Sequence, residues 1–536
     1  MKLLELLRRE STVSLRGLLV TSALAGLSSA LVLPIINTAA RLASHREGSF
    51  RLLILFMLIV TIYSISQRYF MIRAIAEVER VLDRLRVRMA DKIRRCDLAP
   101  LEQIGRTALY ASISREITTI SQAALVLVVS AQFTILIFFT AIYVFVLSPL
   151  AFTLTALCTA VIVFAYRARL RKIDQQLHES ARRENDLFDA LTQMLEGFKE
   201  VRLNRARSDD LYRHFQAISH SVRDMKSTSL TEISTTFVLS QVWFYLLLGI
   251  IVFVVPLLTR TYTSQIVQIT TAVLFLTGPI SSMMGSAQNL AAADVAVDNI
   301  AEIETKLDRS VITRDEDVRP RTSFRELEFE DVFFSYGDSF TVGPLSVKIH
   351  EGEILFIAGG NGSGKSTFLK LLTALYFPTR GTIRIDGDPV TPENSDSYRS
   401  LFSTVFTDFH LFRRLYGLYD VPQDEIDRLL EDVIELSDKT HVDEHEFNTL
   451  ELSGGQRKRL SLLVALLEDR PICVFDEVAA DQDPAFRRKF YKEILPSLRA
   501  RGKTIIAVTH DDKYFEDADR LLKMDEGRFV SHDDAA

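Results

Sequence analysis

Cysteine is scarce in this chain. Cys96, Cys158 and Cys473 are spread over 536 positions, with no metal-ligand spacing among them. That leaves no thiolate metal site and points to buried, reduced thiols. Excess basic charge is missing too. The 63 Lys and Arg residues face 69 Asp and Glu, for a net charge of −6. The electrostatic footprint of a nucleic-acid binder is therefore absent. The third absence is local. Within the first 300 residues, long apolar stretches contain no Asp, Glu, Lys or Arg. A carrier driven by a proton or sodium gradient usually places an ionisable group there, so an ion gradient is not the expected energy source.

What is present divides the chain in two. Hydrophobic residues make up 48% of it, and they concentrate in six runs at 17–40, 52–67, 121–147, 149–166, 233–259 and 261–293. A helix needs about 20 apolar residues to cross a hydrocarbon core, so six spans are expected. The first is too long for a cleaved signal segment. A kink is expected at Gly278-Pro279. The links between spans two and three and between spans four and five are long and rich in Arg and Lys. By the positive-inside rule they are cytoplasmic, as are both termini. Gln132, Tyr143, Gln241, Trp243, Tyr245, Gln288 and Asn289 are the polar and aromatic residues of the spans. They are candidates for a cavity lining, with helix–helix hydrogen bonds and interfacial anchoring the plainer role.

After Asp308 the composition turns soluble. Strand-like segments at 327–332, 345–349 and 353–358 lead into Gly359-Gly360-Asn361-Gly362-Ser363-Gly364-Lys365-Ser366-Thr367, followed by an apolar helical run at 368–375. This is GxxxxGK[ST] between a strand and a helix, a phosphate-binding loop. Its glycines let backbone N–H groups wrap phosphates, and the helix N-terminus adds partial positive charge. Lys365 is expected on the β- and γ-phosphates and Ser366 on Mg²⁺.

Downstream stands Leu452-Ser453-Gly454-Gly455-Gln456. Following a phosphate-binding loop, it resembles the signature of ABC ATPases. The resemblance implies two ATPase domains meeting head to tail, the signature of one clamping ATP held by the other. It also implies roles for further residues. Asp476, ending the strand ICVFD, would hold Mg²⁺, and Glu477 would be the general base. Asp481 resembles the aspartate that communicates across the dimer, His510 the switch histidine at the γ-phosphate, and Tyr336 the aromatic residue stacked on adenine.

One position departs from the family. Thr407 stands where a glutamine touches Mg²⁺ and the attacking water. A threonine hydroxyl would reach the metal through a water. Because Lys365, Ser366, Asp476, Glu477 and His510 are all present, intact chemistry with an altered coupling contact is expected, and Asp408 is a candidate to compensate. The blocks VFTDFHLF, FDEVAADQDP, THDDKYF and QMLEGFKEVRLN together resemble the cyclic-peptide and siderophore exporters of Gram-negative bacteria, the pyoverdine-, syringomycin- and microcin-type export proteins.

The expected fold is an α-helical polytopic membrane domain of the exporter type (1–305), a linker (306–322) and an α/β P-loop ABC ATPase domain (323–536). The resemblance implies an ATP- and Mg²⁺-dependent half-transporter of the bacterial inner membrane, working as a homodimer by alternating access. Coupling helices are expected near 101–112 and 194–204. The expected cargo is a peptide-like small molecule carried from cytoplasm to periplasm, and a periplasmic adaptor is a candidate partner. No peptidase domain precedes the first span, so leader cleavage is not expected. A lipid flippase or multidrug exporter of the same fold, and a non-transporting ATP-dependent regulator, are the alternatives.

Overall fold

The computed structural model describes residues 2–11, 15–44, 49–105, 109–110, 112–258, 263–309, 319–336 and 340–530. The chain packs as two units. One comprises Met1–Asp91 and Arg106–Thr305, the other Lys92–Gly105 and Lys306–Ala536.

The first unit is helical throughout its described residues. A short amphipathic helix, Lys2–Glu10, precedes Leu15–Ser44, Phe50–Arg95, Ile117–Leu147, Pro149–Glu196, Arg205–Gly249 and Thr263–Asp308. At about 1.5 Å per residue, the 46-residue helix Phe50–Arg95 runs to about 70 Å, far beyond a bilayer. Its apolar first half exposes Phe50, Leu53, Ile54, Met57 and Leu58, as a lipid-facing helix does.

Among the described residues, five helical stretches are long and apolar enough to span: Val20–Ala43, Phe50–Arg95, Ser112–Leu147, Arg205–Leu257 and Gln265–Asp308. The expected fourth span corresponds to a shorter apolar stretch, Pro149–Ala165, the start of the helix Pro149–Glu196. Five of the six expected spans are matched by these stretches and the fourth by the shorter one. The helix bearing Gly278-Pro279 continues unbroken from Thr263 to Asp308, while residues 261 and 262 of the last expected run lie outside the described residues.

Small residues and paired polar groups hold these helices together, as packing in lipid requires. A β-carbon on Gly26 would lie 2.5 Å from Ile135 Cγ2. Gln67 Nε2 donates to Gln132 Oε1 at 2.9 Å. Asn37 Nδ2 donates to the Tyr143 hydroxyl at 3.2 Å, and Thr271 donates to Asn37 Oδ1 at 3.0 Å. Gln132 and Tyr143 thus serve helix–helix contacts. Trp243 and Tyr245 are exposed, and the side chain of Gln288 lies outside the described residues.

Among its described residues the second unit has twelve strands: β1 Glu326–Tyr336, β2 Phe340–His350, β3 Ile354–Gly359, β4 Arg380–Ile385, β5 Asp388–Pro389, β6 Phe402–Val405, β7 Val442–Asp443, β8 Glu446–Phe447, β9 Ile472–Asp476, β10 Thr504–Val508, β11 Arg520–Asp525 and β12 Arg528–Val530. The central sheet has the order β12-β11-β3-β10-β9-β6. Neighbours from β11 to β6 are parallel. Such strands are covered on both faces and therefore read as continuous apolar runs. Ile354, Phe356, Cys473, Phe475, Ile505 and Ala507 enter one core. The alternating residues Leu355, Ile357, Ile472, Val474, Ile506 and Val508 enter the other. An antiparallel sheet β2-β1-β4-β5 flanks it.

The segment Leu98–Ile104 is a short helix that belongs to this second unit although it lies between two membrane helices in sequence. It overlaps the range 101–112 expected for a coupling helix at residues 101–104. Residues 106–108 and 111 of that range lie outside the described ones. A second short helix, Phe198–Leu203, falls inside 194–204. Of the expected linker, residues 310–318 are likewise outside. Cys473 is buried, but Cys96 and Cys158 are only half-buried, which corrects the expectation of three buried thiols.

Candidate nucleotide site

Parallel strands of one sheet end on one edge, and this edge gathers the chemistry. β3 runs into the loop from Gly359, β6 into Thr407, β9 into Asp476 and β10 into His510. The register sets Val508 beside both Ile357 and Asp476.

The loop is a cradle only glycine can line. A β-carbon on Gly359 would meet the Met524 carbonyl at 2.2 Å, and Gly364 has φ +103° with Met524 at its back. The helix Lys365–Leu372 opens directly on Gly364. Lys365 is buried, and its ammonium donates to the carbonyls of Gly359 and Gly360, each at 2.9 Å. Ser363 Oγ is buried with no hydrogen-bond partner among the described residues. An unpaired buried hydroxyl beside a ring of helix-end N–H groups fits an anionic ligand bearing acceptor oxygens. Asn361, Gly362 and Ser366 are not buried and open toward solvent at this edge. Tyr336 ends β1. Its hydroxyl lies 3.2 Å from Thr367 Oγ1, and the residue is 39% exposed, as an aromatic ring that receives a flat base would be.

Asp476 and Glu477 follow each other at the end of β9 but occupy different environments. Burial pushes the Asp476 carboxyl up, opposed by its hydrogen bonds with Thr407. A divalent cation there would offset the desolvation. No three His, Cys, Asp or Glu among the described residues form a metal cluster of their own. Any Mg²⁺ would therefore depend on the Ser366 hydroxyl, Asp476 and the phosphates together. Glu477 adopts φ +53°, a strained backbone for a non-glycine residue costing about 1–3 kcal/mol. Its N–H is held by the Val508 carbonyl at 3.1 Å. The turn aims its carboxylate at His510, whose Nε2 lies 3.0 Å away.

Thr407 contacts Asp476 twice. Its N–H donates to Asp476 Oδ2 at 3.4 Å and its hydroxyl to the Asp476 carbonyl at 3.5 Å. Thr407 and Asp408 are both exposed.

The signature forms a separate cluster. Ser453 caps the helix Gly454–Leu467 in a reciprocal capping box with Gln456. Gly455 must be small, since a β-carbon would approach the Asp481 carbonyl at 2.9 Å. Gln482 Nε2 donates to the Gly455 carbonyl at 3.0 Å, and buried Lys458 reaches Asp481 at 3.3 Å. Arg459 holds both Gln482 and Asp483. A recess of about 410 Å³ lies over this group, lined by Ser453, Gly455, Gln456, Asp481 and Asp483 among others.

The structure thus gathers Lys365, Thr407, Asp476, Glu477 and His510 on one edge, and Ser453, Gly455, Gln456 and Asp481 in a second cluster. The reading of the sequence missed Lys458, Arg459 and Gln482, which brace the second group. The run GGQRK placed the first of these on the signature helix, but nothing local marked its partner. It also missed Asp97 and Glu102. Asp97 accepts from Arg399 at 3.1 Å, and Glu102 accepts from Lys370 and from the Tyr376 hydroxyl. Burial, then Glu102, pushes the Tyr376 phenol well above its ordinary range.

Comparison with known proteins agrees with this geometry. The family profile "ABC transporter" matches residues 342–480. The chain is 31% identical to "ATP-binding protein SyrD" of Pseudomonas syringae pv. syringae, over 96% of this chain and 93% of that protein. It is 26% identical to an "ATP-dependent lipid A-core flippase" of Alkalilimnicola ehrlichii, over 84% of this chain and 79% of that protein. Among solved structures, a bacterial Atm1-family ABC exporter with ATP bound superposes with a TM-score of 0.79. It shares 20% identity and covers 98% of this chain and 95% of its own.

Proposed function

The chain belongs to the ABC transporter family as a half-transporter that couples ATP hydrolysis to transport across a membrane, and from that premise we propose that it exports a cyclic or modified peptide, or a peptidic siderophore precursor, from cytoplasm to periplasm. The observation that carries the cargo is the set of blocks VFTDFHLF, FDEVAADQDP, THDDKYF and QMLEGFKEVRLN. They resemble the peptide exporters, and the whole-chain similarity to SyrD supports them.

In this reading ATP is the substrate. The loop N–H groups and Lys365 bind its phosphates, and Tyr336 stacks on adenine. Ser366, Asp476 and Thr407, the last through water, would hold Mg²⁺, which supplies charge neutralisation on the phosphates when bound. Glu477 takes the proton of the attacking water, and His510 orients the γ-phosphate with it. A partner's signature completes the site, so a second copy of the chain is the simplest partner. ATP favours the closed state over the open one, and that difference drives the cavity outward. The domain division at 305 and 322, cytoplasmic termini, an inner-membrane location and a periplasmic adaptor complete the proposal.

Relatives that are lipid A-core flippases supply the second reading. The deciding experiment is ATP-dependent uptake into inverted vesicles containing the purified protein. A lipopeptide or peptidic siderophore precursor that accumulates and stimulates hydrolysis supports the proposal. Stimulation by lipid A, with none by peptides, supports the flippase reading. No accumulation of either, with hydrolysis intact, returns the regulator.

A further inference from the structure

The glutamine that ordinarily links the ATPase core to the membrane domain is a threonine here, and Thr407 hydrogen-bonds to Asp476. A different connection runs through the adenine side of the site. Tyr336, whose exposed face would receive the base, meets Tyr376 edge-on at 5.9 Å. Tyr376 is almost fully buried. It is stacked on Phe334 at 4.6 Å and capped by the Lys370 ammonium 4.8 Å above its ring. Its hydroxyl donates to Glu102 on the short helix Leu98–Ile104. Lys370 donates to the other Glu102 oxygen at 3.1 Å and to the Tyr376 hydroxyl, also at 3.1 Å.

We propose that Glu102 is a positioning residue that couples adenine binding at Tyr336, through Tyr376, to the segment leading back into the membrane helices. The helix Phe50–Arg95 carries the chain into this segment with only Cys96 and Asp97 between them. A buried ring stacked on Phe334 and held at its hydroxyl by Lys370 and Glu102 has little freedom of its own, so a shift of Tyr336 under a stacked base passes to the Tyr376 hydroxyl. Leu98 and Ala99 pack against the core that contains Tyr376, which keeps the short helix within reach. Asp97, bound to Arg399, anchors the same helix without touching Tyr376. Linkage is reciprocal: whatever ATP does to the short helix, the short helix does to ATP affinity. The proposal rests on the ATPase and not on the cargo.

The test is hydrogen–deuterium exchange on the full-length protein in lipid nanodiscs, in a Glu477→Gln background that retains MgATP. ATP is expected to slow exchange at both 365–372 and 98–104 by several-fold. Glu102→Ala and Tyr376→Phe should each abolish the ATP-induced slowing at 98–104 while preserving it at 365–372. Asp97→Ala should raise exchange at 98–104 with and without ATP alike, leaving the ratio unchanged. CTP, at a concentration that protects 365–372 equally, should protect 98–104 less than ATP does. Glu102 is substantially exposed, so Glu102→Ala reads the relay even if Tyr376→Phe does not fold. An unchanged ATP response in Glu102→Ala overturns the relay, as does equal protection of 98–104 by CTP. Protection at 365–372 with none at 98–104 in the parent overturns the relay alone. No protection at either overturns the nucleotide site as well.

Discussion

The imidazole of His510 and the carboxylate of Glu477 face each other at 3.0 Å across the ends of two adjacent parallel strands. Replacing Glu477 with glutamine preserves the shape but removes the carboxylate proposed as the base. Glu477→Gln should lower kcat for ATP hydrolysis by about 10²–10⁴-fold while MgATP binding persists. His510→Ala should be impaired through the same step, and the double variant should lose little beyond the worse single one. Phosphate release and equilibrium ATP binding on the same preparation check this.

The Thr407 hydroxyl reaches the Asp476 carbonyl at 3.5 Å, at the limit of a hydrogen bond. A contact of that length is worth little, so Thr407→Ala should change hydrolysis by no more than about threefold. A loss comparable to that of Glu477→Gln would show that the threonine acts directly on the reaction.

Glu468 sits at the C-terminal end of the signature helix, and burial holds its carboxyl up at about 6 against an ordinary 4.5. The folded protein therefore binds this proton more tightly than the unfolded chain does. The associated stability is fully present below pH 4.5 and is lost as pH rises through 6. Above that the buried carboxylate costs about 2 kcal/mol. Glu468→Gln should raise the unfolding temperature at pH 7.5, and the gain should shrink at pH 5. Thermal unfolding at both pH values reads the difference.

Gly26 has no room for a side chain against Ile135. Gly26→Leu should destabilise the membrane unit by about 1–3 kcal/mol, the usual cost of overpacking. Adding Ile135→Ala should restore part of it. Unfolding followed by size exclusion in detergent measures both variants.

Some of this site is legible in the sequence because its parts are local. A phosphate-binding loop needs consecutive glycines between a strand and a helix, and 359–367 supplies them in order. The capping box of Ser453 and Gln456 spans three residues. Parallel strands buried on both faces announce themselves as ICVF and TIIAV. Other elements resisted. The fourth apolar run passes without a break into the long helix Pro149–Glu196, and hydropathy alone does not mark where such a helix leaves the bilayer. Nothing in LAPLEQI marks the short helix Leu98–Ile104 locally; what holds it is Arg399, Lys370 and Tyr376, hundreds of positions away.

By itself the sequence determined the two-part layout and the ABC ATPase assignment, and it marked the candidate site residues, since each depends on composition or on spacing within a few residues. Only the tertiary structure decided that Glu477 turns on a strained backbone toward His510. It also decided that Lys458 reaches Asp481, and that Glu102 meets Tyr376. These pairings join side chains distant along the chain. Their geometry follows from sheet register and core packing, which no local pattern encodes.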